Sequence, residues 1–106
     1  MFTKTATAVI NTQALKHNYT QLRRLCPNSQ ILSILKANAY GHGLERVAKA
    51  LDGTDAIGVA RIDEALSLRA SGITKSIILL EGFFDASDLP ILAVNGFETI
   101  VHNFAQ

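Results

Sequence analysis

The residues best suited to chemistry are grouped in one stretch, Lys36–Gly43, which reads Lys-Ala-Asn-Ala-Tyr-Gly-His-Gly. Its lysine follows an apolar run, Ile31–Leu35, of the kind that forms a buried strand. Leu32, Ile34 and Lys36 would share one face of that strand, because side chains alternate between faces. Withdrawal from water disfavours a charged ammonium, and the neutral amine is a nucleophile toward aldehydes. Lys36 is therefore a candidate nucleophile, and the alternative is a strand-end lysine that reaches into solvent.

The other residues of this stretch are open to two interpretations. On its own, a loop tyrosine such as Tyr40 more often packs with a hydrated hydroxyl than binds a ligand. Gly41 and Gly43 allow positive φ and a close approach of the backbone to a ligand or helix, although flexibility at a helix entry is the plain alternative. His42 has no recognisable catalytic partner, and the other two histidines do not form a metal-ligand spacing with it. We interpret His42 as a hydrogen-bonding residue that fixes the loop, and we predict no metal site.

Short apolar runs alternate along the chain with stretches of helical period. From the second run onward, run starts recur about every 20 to 25 residues, which favours successive right-handed βαβ units and a parallel sheet. The runs are nearly continuous in apolar residues, as expected for parallel strands that are covered on both faces. The predicted strands are Ala8–Ile10, Ile31–Leu35, Ala56–Val59, Ile77–Leu80 and Thr99–Val101.

Four helices are predicted between these runs from the helical spacing of their apolar positions. Asn11 or Thr12 can cap the first helix, and Pro90 must lie in the first turn of the last. Asp63 and Glu64 fall in the first turn of the third helix, where the helix dipole explains acidic residues without catalysis. The predicted helices run from residue 11 or 12 to before Pro27, from Leu44 to Gly53, from Ile62 to Gly72 and from Ser87 to Asn95. The positions expected to be apolar and inward-facing include Leu15, Tyr19, Leu22 and Cys26 in the first helix and Ile62, Ala65, Leu66 and Ala70 in the third.

The stretch from Lys36 to Gly43 resembles the cofactor-lysine signature of alanine racemases, and the signature is complete. Similar stretches occur through nearly the whole chain, so residues 1–106 are interpreted as the N-terminal part of that family's barrel domain. One departure is Asn11, where the family's opening segment more often has aspartate. The similar stretches are Asn11–Leu15, His17–Asn18, Gly58–Arg61, Glu64–Leu66, Leu68–Arg69, Gly72–Ile73 and Leu79–Gly82.

The resemblance implies roles for three side chains. In the family, the matching lysine holds pyridoxal 5′-phosphate through a covalent bond to its aldehyde, and it then serves as base or acid on one face of the substrate α-carbon. The resemblance gives both roles to Lys36. It gives Tyr40 a contact with the cofactor phosphate. Leu80 lies where the family has an apolar side chain near the cofactor, although core packing alone would explain Leu80 equally well.

The resemblance also implies a reaction and an assembly. Alanine racemases interconvert L-alanine and D-alanine for the supply of peptidoglycan precursors. The second acid or base is a tyrosine of the partner subunit, so the parent protein is expected to be a homodimer whose active site the partner completes. Two alternatives stay open: a relative with a broader range of amino-acid substrates, and a non-catalytic partial barrel that binds cofactor or assembles without turnover.

Periodicity alone fits both a doubly wound α/β sheet and a (β/α)8 barrel, and the resemblance favours the barrel. A complete barrel takes about 250 residues. The chain is therefore expected to supply only the first βα units, with parallel strands and unpaired edges, while the rest of the barrel and a C-terminal β domain are absent from it. On its own it is expected to be inactive.

Charge and composition narrow the range of partners. Ten basic and nine acidic residues, with no run of like charge, give no electrostatic reason to expect nucleic acid or a membrane surface. The single cysteine, Cys26, cannot form an internal disulfide, and its apolar spacing predicts a buried thiol in a reducing compartment. No window approaches the ~20 apolar residues of a membrane span, and the N-terminus has no long apolar stretch. We therefore expect a cytoplasmic protein that acts on a small molecule.

Overall fold

The computed structural model describes residues 5–106, in which a four-stranded sheet alternates with helices along the chain. All neighbouring strands are parallel and lie side by side in chain order. Because right-handed crossovers that always advance to the next position keep the helices on one side, this order is that of a barrel and not of a doubly wound sheet. The strands are β1 (Leu32–Ile34), β2 (Ala56–Val59), β3 (Ser76–Leu79) and β4 (Phe97–Thr99).

The predicted helices are confirmed, and their ends follow local signals. Asn11 caps the first helix by accepting the N–H of Ala14 on its side-chain oxygen at 3.0 Å. Pro90 lies in the first turn of the last helix, and Gly96 ends it at a φ of 65°. The helices of the described residues are α1 (Thr12–Leu25), α2 (Leu44–Ala50), α3 (Ile62–Ala70) and α4 (Leu89–Asn95), the last preceded by a 3₁₀ turn over Ala86–Asp88. None of them is long and apolar enough to span a membrane.

One face of the sheet carries the hydrophobic core, and the opposite face is open. Strand residues on the helix side are fully buried against α2 and α3. On the other side, Leu32 and Ile34 are 40% and 43% exposed, whereas Leu35 between the helices and the sheet is 5% exposed. The predicted alternation along β1 is therefore confirmed, and we call the side with Leu32 and Ile34 the open face. The core residues are Leu35, Ala39, Leu44, Val47, Ala48, Ile57, Val59, Ala65, Leu68, Ile77, Leu79, Leu92 and Phe97.

Two strand predictions are wrong: one predicted strand does not form, and another lies at different residues. Ala8–Ile10 forms no strand, because a β-branched run becomes a strand only where a neighbour supplies ladder partners, and β1 ends the described sheet on that side. The last strand is Phe97–Thr99 and not Thr99–Val101. Gly96 ends α4 directly before Phe97, whose buried ring makes this position the start of the strand.

Several predicted burials are also wrong. Leu22 is 53% exposed and Cys26 is exposed, because α1 packs mainly against α2, with Leu15 against the core. On α3, Ala65 and Leu68 face the core, so Leu66 lies on a different side of the helix and is 38% exposed. Ala70 is exposed as well. The expectation about the start of the chain involves residues 1–4, which lie outside the described residues.

Arg23 holds α1 to the loop before β2, at the edge of the sheet where the strands begin. Its guanidinium donates to the Asp55 carboxylate at 2.9 Å, and Asp55 also accepts the N–H of Ile31 at 2.6 Å. The Ile31 N–H and then the Arg23 guanidinium hold the pKa of Asp55 below its usual value, because both favour the charged carboxylate. The Tyr19 hydroxyl adds a bond to the Gly53 carbonyl oxygen at 2.9 Å. Helix α1 is thus held by polar contacts at the edge opposite to Lys36.

Candidate active site

Lys36 lies directly beyond β1, at the edge of the sheet where the strands end. The N–H of Leu35 still donates to the Gly58 carbonyl oxygen in β2 at 2.8 Å, so the ladder extends one residue past β1. Lys36 is half-buried, and its ammonium makes no hydrogen bond or ion pair with any residue from 5 to 106. The amine is therefore available to a ligand at this edge.

The residues after Lys36 form one turn of left-handed helix, which we call the left-handed segment. Residues with a Cβ atom adopt this conformation at a cost of roughly 1–2 kcal/mol each. The positive φ predicted for Gly41 and Gly43 is confirmed, at 87° and 95°. The left-handed conformation of the residues before Gly41 was not predicted. Specific contacts are needed to hold it. Its members are Ala37 (φ 52°), Asn38 (φ 56°), Ala39 (φ 55°) and Tyr40 (φ 54°).

Asn38 is the hydrogen-bonding centre of the left-handed segment. Its side-chain Oδ1 accepts the N–H of Leu44, the first residue of α2, at 2.8 Å, and its carbonyl oxygen accepts the N–H of Gly43 at 3.0 Å. His42 Nδ1 lies 3.0 Å from the carbonyl oxygen of Ala39. Because a carbonyl can only accept, Nδ1 is the donor of this hydrogen bond. The prediction that His42 fixes the loop is confirmed.

Glu64 connects the left-handed segment to the next βα loop. Its Oε1 accepts the N–H groups of Ala60 at 3.1 Å and Arg61 at 3.0 Å, while its Oε2 accepts the N–H of Asn38 at 3.3 Å. Only the glutamate half of a capping box forms, because the Arg61 guanidinium has no acceptor to offer in return. The interpretation of Glu64 as a residue of the first helical turn was correct for α3, but it missed the bond to Asn38.

Leu80 lies on the same face and the same edge of the sheet as the end of β1. Its N–H donates to the Val59 carbonyl oxygen at 2.8 Å, which extends the ladder one residue past β3. Its side chain lies over Gly58, where an added Cβ would come within 3.1 Å of Leu80 Cδ1. The register therefore places Lys36 and Leu80 two strands apart, about 9.5 Å between backbones. Tyr40, at the far end of the left-handed segment, is 60% exposed, and its hydroxyl makes no hydrogen bond within residues 5–106.

Comparison with known sequences identifies the family. The sequence profile described as alanine racemase, N-terminal domain, matches residues 10–106. The chain belongs to the alanine racemase family. It is 58% identical over 103 residues to the alanine racemase of Photobacterium profundum, a match that covers 97% of this chain and 29% of that protein. It is 57% identical over 101 residues to the biosynthetic alanine racemase of Escherichia coli, covering 95% of this chain and 28% of that protein.

Solved alanine racemase structures share the fold. The enzyme from Acinetobacter baumannii superposes with a TM-score of 0.88 at 39% identity, over 92% of this chain and 27% of that one. The Bartonella henselae alanine racemase, solved with covalently bound pyridoxal phosphate, superposes with a TM-score of 0.83 at 31% identity, over 91% of this chain and 27% of that one. These matches confirm the partial barrel, and the chain spans less than a third of the length of the relatives that it matches.

Two features of this alanine racemase domain were not predicted from the sequence. The left-handed backbone gave no signal, because Ala37 and Ala39 are residues that favour the right-handed helix. The bond from Asn38 to Glu64 joins residues 26 positions apart, and only knowledge that the two loops are adjacent could have suggested it. Within residues 5–106, no group of three His, Cys, Asp or Glu side chains is placed to hold a metal ion.

Proposed function

We propose that residues 1–106 are the N-terminal part of the barrel domain of a pyridoxal-phosphate-dependent alanine racemase, and that Lys36 holds the cofactor. The observation that carries this proposal is the Lys36 amine, unpartnered within the described chain, at the carboxyl edge of a barrel sheet. That edge is where barrel enzymes carry their active sites. Family membership and the complete signature around Lys36 support the same conclusion. We use "parent enzyme" for the complete protein that contains this chain.

The residues at this edge fit pyridoxal phosphate in their chemistry. A primary amine at Lys36 suits the aldehyde, and an exposed phenol at Tyr40 offers a hydrogen-bond donor to a phosphate oxygen. Leu80 offers an apolar surface on the open face, beside Gly58. When bound, the cofactor supplies an electron sink that makes the α-hydrogen of an amino acid removable.

Lys36 then has a second task, which is to take and return a proton on one face of the substrate α-carbon. Racemisation needs proton exchange on both faces, and we assign the opposite face to a residue outside this chain, supplied by the partner subunit of a homodimer. Tyr40 binds and does not transfer the proton. The left-handed segment that joins Tyr40 to Lys36 keeps the phosphate contact and the amine at a fixed separation.

Alanine is the proposed substrate, and D-alanine for peptidoglycan precursors is the proposed product, because relatives 57–59% identical to this chain are named alanine racemase. A cytoplasmic location is part of the proposal. It is supported by Cys26, an exposed free thiol within the described residues, which suits a reducing compartment.

Chemical trapping tests the assignment of Lys36. The parent enzyme is loaded with pyridoxal phosphate, reduced with borohydride and digested, and the peptides are mapped by mass spectrometry. We expect the cofactor on Lys36, together with alanine racemisation that Lys36→Arg lowers by about 10²–10⁴-fold. The matched control is Lys49→Arg on the exposed side of α2, which should keep both properties. A label on Lys4, Lys16, Lys49 or Lys75 instead would contradict the proposal, and turnover of serine equal to that of alanine would favour a broad-specificity racemase.

A further inference from the structure

The Glu64 carboxylate is shared between two loops at the carboxyl edge of the sheet. One oxygen accepts the N–H groups of Ala60 and Arg61, which belong to the loop between β2 and α3. The other oxygen accepts the N–H of Asn38, in the left-handed segment between β1 and α2. Glu64 itself lies in the first turn of α3 and is half-buried. Its side chain is thus a bridge from a rigid helix to the segment that follows Lys36.

The remaining hydrogen bonds of the left-handed segment are local. The segment and its flanking glycines bond to partners between Leu35 and Leu44, as in the bond from the Ala39 N–H to the Leu35 carbonyl oxygen at 2.9 Å. These bonds shape the turn but do not fix it against β2. The Ala39 methyl group enters the core, so packing also holds the segment against its neighbours. Within residues 5–106, the bond to Glu64 is the hydrogen bond that ties the segment to a neighbouring βα unit.

We propose that Glu64 is a positioning residue for the cofactor lysine. By holding the Asn38 N–H, its carboxylate fixes the left-handed segment whose two ends carry Lys36 and Tyr40, and so fixes the direction of the amine and the phenol toward one bound molecule. Glu64 touches neither cofactor nor substrate in this role. The inference rests on the proposed function, since it concerns how this chain presents Lys36 to pyridoxal phosphate.

Glutamate has the length and the acceptors that this role requires. A glutamine at position 64 retains one carbonyl oxygen and so can cap α3 or accept from Asn38, but its amide N–H groups cannot accept the second set of donors. An aspartate keeps the charge but is one methylene shorter, so it cannot span both loops. The neighbour Asp63 offers a matched control, because it pairs with Arg61 at 2.9 Å while both side chains remain about two-thirds exposed or more, at 67% and 71%.

The experiment uses the parent enzyme in four forms: unaltered, Glu64→Gln, Glu64→Asp and Asp63→Asn. The apoenzyme of each is mixed with pyridoxal phosphate, and the rate of covalent capture by Lys36 is followed by its visible absorbance and verified by borohydride mapping. The kcat and KM for L-alanine and the thermal midpoint of each apoenzyme are measured on the same preparations. A lower capture rate and a lower kcat at an unchanged KM indicate a loss of positioning. A lower thermal midpoint alone indicates a general loss of stability.

We expect both Glu64 variants to lower the capture rate and kcat by on the order of ten- to a hundredfold, with KM changed by less than about threefold, because a misdirected amine reacts slowly after normal binding. Asp63→Asn should match the unaltered enzyme. If Glu64→Gln melts too early to assay, Glu64→Asp alone decides: slow capture supports the inference and an unaltered rate overturns it. Capture and kcat at the unaltered level in both variants, or an equal loss in Asp63→Asn, would also overturn it. Failure of the unaltered enzyme to load Lys36 would instead overturn the proposed function.

Discussion

Tyr40 presents an exposed phenol four residues from Lys36, at the far end of the left-handed segment. We expect Tyr40→Phe in the parent enzyme to weaken pyridoxal phosphate binding without unfolding the protein. The change removes one hydrogen bond to a charged phosphate, worth roughly 1.5–3 kcal/mol, and retains the ring. Titration of the apoenzyme with cofactor should therefore show an affinity lower by about 10- to 150-fold.

The matched control is the other tyrosine of the chain, Tyr19, whose hydroxyl donates to the Gly53 carbonyl oxygen at the opposite edge of the sheet. Tyr19→Phe should lower the thermal midpoint slightly and leave cofactor affinity unchanged. An unchanged affinity in Tyr40→Phe would refute the phosphate contact. Loss of folded structure in Tyr40→Phe would show that the ring and hydroxyl serve mainly the fold.

The sequence signature predicted the candidate site residues but not the backbone conformation that carries them. Lys36 and Tyr40 could be picked out from the sequence because the stretch from Lys36 to Gly43 resembles the alanine racemase signature, whereas residue type and position alone left a solvent-facing lysine and a packing tyrosine open. The left-handed turn could not, because alanine at positions 37 and 39 prefers the opposite hand and only tertiary contacts overcome that preference. Glu64 was assigned only to its own helix, because its second partner, the Asn38 N–H, comes from another βα unit.

At the scale of elements, α1 is held by the ion pair between Arg23 and Asp55. The pKa of Asp55 is lowered in the folded protein, first by the Ile31 N–H and then by Arg23. A lowered folded-state pKa means that the carboxylate stabilises the fold above its unfolded pKa of about 3.9, and that this contribution is lost as the pH falls through the folded-state value. We expect Asp55→Asn to lower the thermal midpoint of the parent enzyme at pH 7 by a few degrees.

The pH profile identifies the source of that loss. The midpoints of Asp55→Asn and the unaltered enzyme should converge below pH ~4, because the unaltered carboxyl is then also becoming neutral. Asp52→Asn is the control, since Asp52 is exposed, lies three positions away and makes no hydrogen bond with the described residues. A difference between Asp55→Asn and the unaltered enzyme that stays constant from pH 7 to pH 3 would contradict this account.

The ends of helices were predictable where interactions between residues close in sequence determine them. The start of α1 at Asn11 and the end of α4 at Gly96 follow from a cap and from a left-handed glycine, which act within a few residues. Strand bounds depend on partners distant in sequence. Ala8–Ile10 has the composition of a strand but no described neighbour to pair with, and Phe97 joins the sheet because Ile77 lies opposite.

At the scale of the whole molecule, the open face carries large apolar side chains, and both outer strands, β1 and β4, leave ladder groups unpaired in residues 5–106. We expect the isolated 106-residue chain not to racemise alanine measurably, because the acid or base proposed here, Lys36, would serve only one face of the α-carbon. We also expect it to self-associate, since unpaired strand edges join readily. An assay for D-alanine with added pyridoxal phosphate, combined with light scattering, checks both statements.

The parent enzyme at equal subunit concentration is the control for that assay. Ile34→Lys in the isolated chain places a charge on the open face, where Ile34 is 43% exposed, and should shift the chain toward smaller species. Substantial turnover by a monodisperse monomer would contradict both expectations. Turnover by an assembled form alone would show that copies of this chain complete one another.

The chain order of the strands bears on how the protein is made. Each new strand meets a neighbour that was synthesised just before it, so folding can proceed from the amino terminus as the chain leaves the ribosome. Within residues 5–106, the hydrogen bonds of the left-handed segment all involve residues up to Glu64. The loop can therefore reach its final shape once α3 (Ile62–Ala70) has emerged, well before the segments that close the barrel are translated. If Lys36 has the proposed role, a nascent chain would then present this amine to aldehydes before the barrel is complete.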